Sequence, residues 1–162
     1  MPFVDVGGAR LEVERIDVGR ASAAPIVMLH EGLGSVSMWK DFPHRVAHEA
    51  NRNVFAYSRA GYGRSSSAKL PYGVRYMHDE ALVVLPRLLD ACGIERPILL
   101  GHSDGASIAL IHAAAAGRPV AGLALMAPHV VVEDVSIASI SAAKVAWRRT
   151  DLRAKLARYH DD

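Results

Sequence analysis

Gly101-His102-Ser103-Asp104-Gly105 stands between a short apolar run, Pro97-Ile98-Leu99-Leu100, and a helix-length, alanine-rich segment from Ala106 to Ala116. A Gly-x-Ser-x-Gly in that setting marks a turn sharp enough to carry a buried strand straight into a helix. The serine at its apex is forced into a strained backbone conformation, and a side chain two residues to either side would strike the crossing strand and helix. Glycine at 101 and 105 removes both collisions. The Ser103 hydroxyl then stands at a helix N-terminus, where free amides favour developing negative charge. The Asp104 carboxylate suits the same dipole, which is the role expected of it.

Working outward, three more apolar runs have strand length: Pro25-Ile26-Val27-Met28-Leu29, Asn53-Val54-Phe55-Ala56-Tyr57 and Val120-Ala121-Gly122-Leu123-Ala124-Leu125-Met126. Continuous apolar runs of this length fit strands buried on both faces. Segments of about 38 to 50, 74 to 91 and 104 to 116 separate them as helices, with Pro86 expected to kink or split the second. A loop of small residues at Ser22-Ala23-Ala24 precedes the first of these runs. Residues 3 to 6 and 10 to 16 alternate around Gly7-Gly8 as a hairpin. Strand and helix in regular alternation predict an α/β fold, a mostly parallel twisted sheet with helices on both faces. Residues 1–133 are read as this core. Residues 134–162 change character and predict two helices of an inserted cap, with Asp151 as the N-cap of the second.

Three segments together resemble the α/β-hydrolase family: the Gly101–Gly105 turn, His30-Glu31-Gly32-Leu33-Gly34-Ser35 followed by Trp39, and Tyr57-Ser58-Arg59-Ala60-Gly61-Tyr62-Gly63-Arg64-Ser65. The resemblance implies that Ser103 is a nucleophile and that the backbone N–H of Asp104 is one oxyanion donor. The second donor is the N–H of Gly32 or of Leu33, since Glu31 stands where the family usually has glycine. Ser58 stands where aspartate is common, in a turn that is mainly structural. A serine nucleophile, in place of the aspartate of haloalkane dehalogenases, implies hydrolysis of an ester, lactone, thioester or carbon–carbon bond through an acyl-enzyme. The substrate is then a small acyl-type molecule, and no cofactor or metal is expected.

A serine hydroxyl needs a base, and in this family the acid and histidine usually follow a seventh and an eighth strand. Six strands are predicted here. His102 is expected to pack away from Ser103, and His78 and His112 to lie in helices covering the sheet. His30, in the loop after the third strand, is expected to make a structural hydrogen bond at the pocket wall, and His129 to line the pocket, with Glu133 and Asp134 too far past Met126 to supply the acid. The chain is therefore expected to be a fragment or half of an assembly, inactive or weak by itself. A bare sixth strand predicts self-association or a complementing chain.

Other readings are weaker. Gly32-Leu33-Gly34 lacks the small third residue of a dinucleotide fingerprint, because Ser37 stands there. His44 and His48 lie four apart on one helix with no third metal ligand evident. A pocket that binds ligand without turnover, or an inert remnant, is the rival to catalysis. A net charge of +2 is too small to argue for nucleic acid, which is not expected as a partner, and the cations from Lys144 to Arg158 are interrupted by Asp151. The N-terminus, Met1-Pro2-Phe3-Val4-Asp5-Val6, does not read as a signal peptide. No apolar run approaches the roughly 20 residues of a membrane span, and Cys92, the single cysteine, fits a reducing compartment. A cytoplasmic location is expected.

Overall fold

Six strands form one mixed sheet in the order β1-β2-β4-β3-β5-β6. The computed structural model of the chain describes residues 3–19 and 23–161, so Met1, Pro2, residues 20–22 and Asp162 lie outside it, as does Ser22 of the expected loop. β1 (Phe3–Val6) and β2 (Ala9–Ile16) make the expected hairpin, with Val6 paired to Ala9 across Gly7-Gly8. β2 runs antiparallel to β4 (Val54–Tyr57). From β4 the sheet continues parallel through β3 (Ile26–Leu29), β5 (Ile98–His102) and β6 (Gly122–Met126).

The two-residue period of a strand divides the core between the two faces. Ile26 and Met28 of β3 join Val54 and Ala56 of β4 under Ala47, Phe42 and Val46 of α1 (Phe42–Ala50). Val27, Leu29, Phe55 and Tyr57 point the other way, against Leu85, Leu88, Ile108 and Ala109. These belong to α3 (Leu85–Ala91) and α4 (Asp104–Ala115). The helix expected from about 38 starts later, because Val36–Trp39 form a 3₁₀ turn and Lys40 takes φ 54° before α1 begins.

Pro86 splits the helix of the 74–91 segment in a specific way. α2 (Tyr76–Asp79) gives way to a π-helical turn, Glu80–Val84, before α3 resumes. In the i to i+5 register of a π turn, the amide facing the Ala81 carbonyl is that of Pro86, which has no hydrogen. His112, fully buried on α4, supplies the missing donor, with Nδ1–H donating to the Ala81 carbonyl at 2.8 Å. His112→Ala should therefore cost about 1–3 kcal/mol, the penalty for a buried acceptor left alone, with cavity loss in addition; urea unfolding would measure it.

Beyond β6 lie α5 (Asp134–Arg149) and α6 (Leu152–Leu156). The expected Asp151 side-chain cap is not made, because its carboxylate turns to Lys155 at 3.1 Å. Thr150 Oγ1 instead accepts from the Leu152 N–H at 3.2 Å. Among the described residues β6 has no strand on its outer side, and Leu123 and Met126 are 39% and 37% exposed. Such an edge pairs readily with another chain. The 162-residue chain is expected to elute above monomer mass in size exclusion with light scattering; a stable monomer would contradict this. No helix among the described residues is long and apolar enough to cross a membrane.

Candidate active site

Ser103 links β5 to α4 with φ 51° and ψ −116°, a left-handed conformation that costs a non-glycine residue about 1–3 kcal/mol. Its N–H donates to the Met126 carbonyl at 2.8 Å, while its own carbonyl accepts the amides of Ala106 and Ser107 at 3.0 and 3.1 Å. The strain is thus held by β6 on one side and the first turn of α4 on the other. The flanking glycines are required by contact as well as by conformation. A Cβ on Gly105 would overlap the Leu29 carbonyl oxygen, and one on Gly101 would overlap that of Gly105.

The loop after β3 faces this elbow. The Gly34 N–H donates to the Glu31 carbonyl at 3.1 Å, closing a tight turn with Gly32 and Leu33 at its centre. Gly32 lies against the Asp104 side chain, where an added Cβ would be 3.1 Å from Oδ2. The loop is held from beneath by Arg59, a buried cation whose Nη1 and Nη2 donate to the carbonyls of His30 and Glu31 at 2.6 and 3.0 Å.

His30, expected at the pocket wall, is 1% exposed and has both ring nitrogens occupied. Nδ1–H donates to the Glu31 carbonyl at 2.7 Å, and Nε2 accepts the Arg59 N–H at 3.0 Å. Burial, then the Arg59 charge, hold its pKa well below the ordinary value; burial lowers that of His112 as well. In the unfolded chain both would protonate near pH 6.5. As pH falls below that value the unfolded state binds protons first, so stability should fall until the lower native pKa values are passed. A urea midpoint unchanged between pH 7.5 and 5.5, roughly one unit either side of that value, would contradict this.

Ser58, in the place where aspartate is common, relays to a real carboxylate. Its O–H donates to Glu12 Oε2 at 2.8 Å, and its Oγ accepts the Val36 N–H at 2.9 Å. Glu12 also accepts from Arg64 Nε at 2.7 Å. Burial pushes the Glu12 pKa up, but the hydrogen bonds from Arg64 and Ser58 outweigh it and leave the carboxyl lowered.

His129 comes back to the elbow. Ala127 takes φ 50°, Pro128 follows, and the His129 N–H donates to Ser107 Oγ at 2.8 Å. Its Nε2 then lies 2.9 Å from Ser103 Oγ and 3.5 Å from Asp104 Oδ1. The Asp104 carboxylate is 14% exposed, accepts from the Tyr76 O–H at 2.7 Å through Oδ2, and has Arg59 Nη2 at 3.9 Å from that same oxygen. Burial, then the Asp104 hydrogen bond and charge, push the Tyr76 hydroxyl pKa up. Asp104 is therefore tied into a polar cluster as well as standing at the helix N-terminus. His102 does not pack inward; its side chain is half-exposed, with Nδ1 3.9 Å from Glu31 Oε2.

A cavity of about 470 Å³ begins at Gly32 and Asp104 and is lined by Tyr72, Tyr76, Ile140 and Trp147. Its lining is mainly apolar, and α5 contributes one side. His160, just past α6, accepts the Gly63 N–H through Nδ1 at 3.0 Å and donates from Nε2 to the Leu33 carbonyl at 3.1 Å. Neither His160 nor Arg59 stands out in the sequence, because their partners are carbonyls and amides that carry no residue signature.

The sequence profile of the α/β hydrolase fold matches residues 24–161. A Pseudomonas savastanoi pv. phaseolicola protein provisionally named a carbamate hydrolase, RutD, is 39% identical over 90 residues, 54% of this chain and 32% of that protein. The dihydrolipoyllysine-residue acetyltransferase component of the acetoin cleaving system of Pseudomonas putida is 29% identical over 158 residues, 98% of this chain and 40% of that one. Among solved structures, the enol-lactonase from Burkholderia xenovorans LB400 superimposes with a TM-score of 0.70 at 25% identity, over 94% of this chain and 56% of that one. The chain thus spans 32% and 40% of the length of those two curated relatives.

Proposed function

The chain belongs to the α/β-hydrolase fold family, and from that footing we propose that it carries the nucleophile of a hydrolase acting on esters or lactones through an acyl-enzyme on Ser103. The observation that carries the reading is the Ser103 backbone at φ 51° between β5 and α4. A strained apex of this kind lifts a hydroxyl clear of the sheet. Ser103 Oγ bonds the acyl carbon, the bond to the leaving group breaks, and the leaving group departs with the proton that the serine gives up. Water then cleaves the acyl-serine, restores the hydroxyl and releases the acid.

The amide of Asp104, together with that of Gly32 or Leu33, supports the oxyanion. Each such donor contributes on the order of a few kcal/mol. Arg59 contributes indirectly, by fixing the carbonyls of the loop. The cavity lined by Tyr72, Tyr76, Ile140 and Trp147 suits an apolar acyl group. A small acyl-type substrate is also consistent with the enol-lactonase named above.

The test is a burst. Mixing the chain with a nitrophenyl ester of an apolar acid should release nitrophenolate stoichiometric with the protein before a slower steady phase, the mark of an accumulating acyl-enzyme. Binding of the ester with no release would support the non-catalytic alternative.

A further inference from the structure

The imidazole beside Ser103 does not have the geometry of a triad histidine. In a Ser-His-Asp triad the acid engages Nδ1–H, which leaves a lone pair on Nε2 for the serine proton. Here the serine and the carboxylate both approach one nitrogen, Nε2, at 2.9 and 3.5 Å. A carboxylate can only accept, and its negative charge opposes a lone pair placed toward it. It favours a hydrogen on that nitrogen.

The surroundings hold this arrangement in place. Oδ2 of Asp104 is taken by Tyr76 and faced by Arg59, which leaves Oδ1 toward the ring. The His129 main chain is anchored through Ser107, and Ser107 Oγ in turn donates to the Ser103 carbonyl at 3.4 Å. Positive φ at Ala127 brings the segment round from β6. Three contacts therefore fix His129 relative to Ser103, and the charge of Asp104 decides which form of the ring is presented.

We infer that His129 is a positioning residue held by Asp104 as a hydrogen-bond donor to Ser103 Oγ, and that it is not the base that takes the Ser103 proton. The inference rests on Ser103 being the nucleophile. A donor at Oγ engages one of its two lone pairs, which lowers the electron density available for attack, and directs the hydroxyl hydrogen elsewhere.

The test uses a fluorophosphonate probe on the 162-residue chain and follows the rate of Ser103 labelling. His129→Ala should label no slower than the parent, and up to roughly tenfold faster, the range one net hydrogen bond is worth. A fall of roughly 100-fold or more, the contribution of a general base, would overturn the inference. Asp104→Asn removes the charge that keeps hydrogen on Nε2, so labelling should rise above the parent, while the same substitution made in His129→Ala should add nothing to the rate of His129→Ala. A further gain of Asp104→Asn/His129→Ala over His129→Ala would also overturn it. Long-range ¹H–¹⁵N spectra of the histidine rings provide a readout independent of labelling. A protonated Nε2 in neutral His129 is expected, and a bare Nε2 contradicts the inference. Absence of labelling in every variant would reject the nucleophile, while the ring spectrum would still decide the role of His129.

Discussion

Gly105→Ala is expected to lose about 3 kcal/mol or more of stability, at or beyond the upper end of ordinary overpacking. The new methyl would overlap the Leu29 carbonyl oxygen and lie 2.7 Å from that of His30. Both obstacles are main chain at the end of β3, where Leu29 is paired with Gly101 of β5. Neither can yield without parting the two strands that carry the elbow and the facing loop. Native domains have only about 5–15 kcal/mol in hand, so much of the protein should unfold in mild urea. Gly73→Ala is the control, since a Cβ there meets nothing within 4 Å. Equal urea midpoints for Gly105→Ala and the parent would show that the elbow is packed less tightly than described.

Ser103→Ala should have the opposite profile, with the fold retained and the chemistry gone. The structural contacts of Ser103 to Met126, Ala106 and Ser107 are made by its main chain and survive the substitution. Alanine carries the same backbone strain as serine at φ 51°, so unfolding should change little. The nitrophenolate burst, in contrast, should disappear, because no other described hydroxyl occupies that apex. A variant that still gives a full burst would move the nucleophile elsewhere.

The sheet was legible because β3 and β4 are buried on both faces and therefore read as unbroken apolar runs, Ile26–Leu29 and Val54–Tyr57. The elbow was legible for a steric reason, since Gly101 and Gly105 are the residues that two backbone collisions require. What could not be read depends on partners far away in the chain. The π turn is completed by His112, 31 residues beyond Ala81, and a lone proline in a helix does not announce who replaces its hydrogen. Arg59 lies in a turn whose sequence carries no mark of burial, yet it is buried against two carbonyls. Glu12, in a strand that reads as alternating, provides the charge behind Ser58.

His129 shows the limit most clearly. Its position past β6 placed it at the rim, but its approach to Ser103 depends on Ala127 adopting positive φ. Alanine gives no sign of that conformation, as glycine or asparagine would. The structural hydrogen bond expected of His30 is made, but the ring is consumed by the Arg59 and Glu31 main chain and buried, so it does not line the pocket.

The most direct test of the account is to treat the chain with a fluorophosphonate, digest it and locate the adduct by mass spectrometry. A single adduct on the peptide containing Ser103, absent from Ser103→Ala, is the predicted result. An adduct on any other residue, or labelling that persists in Ser103→Ala, would contradict it.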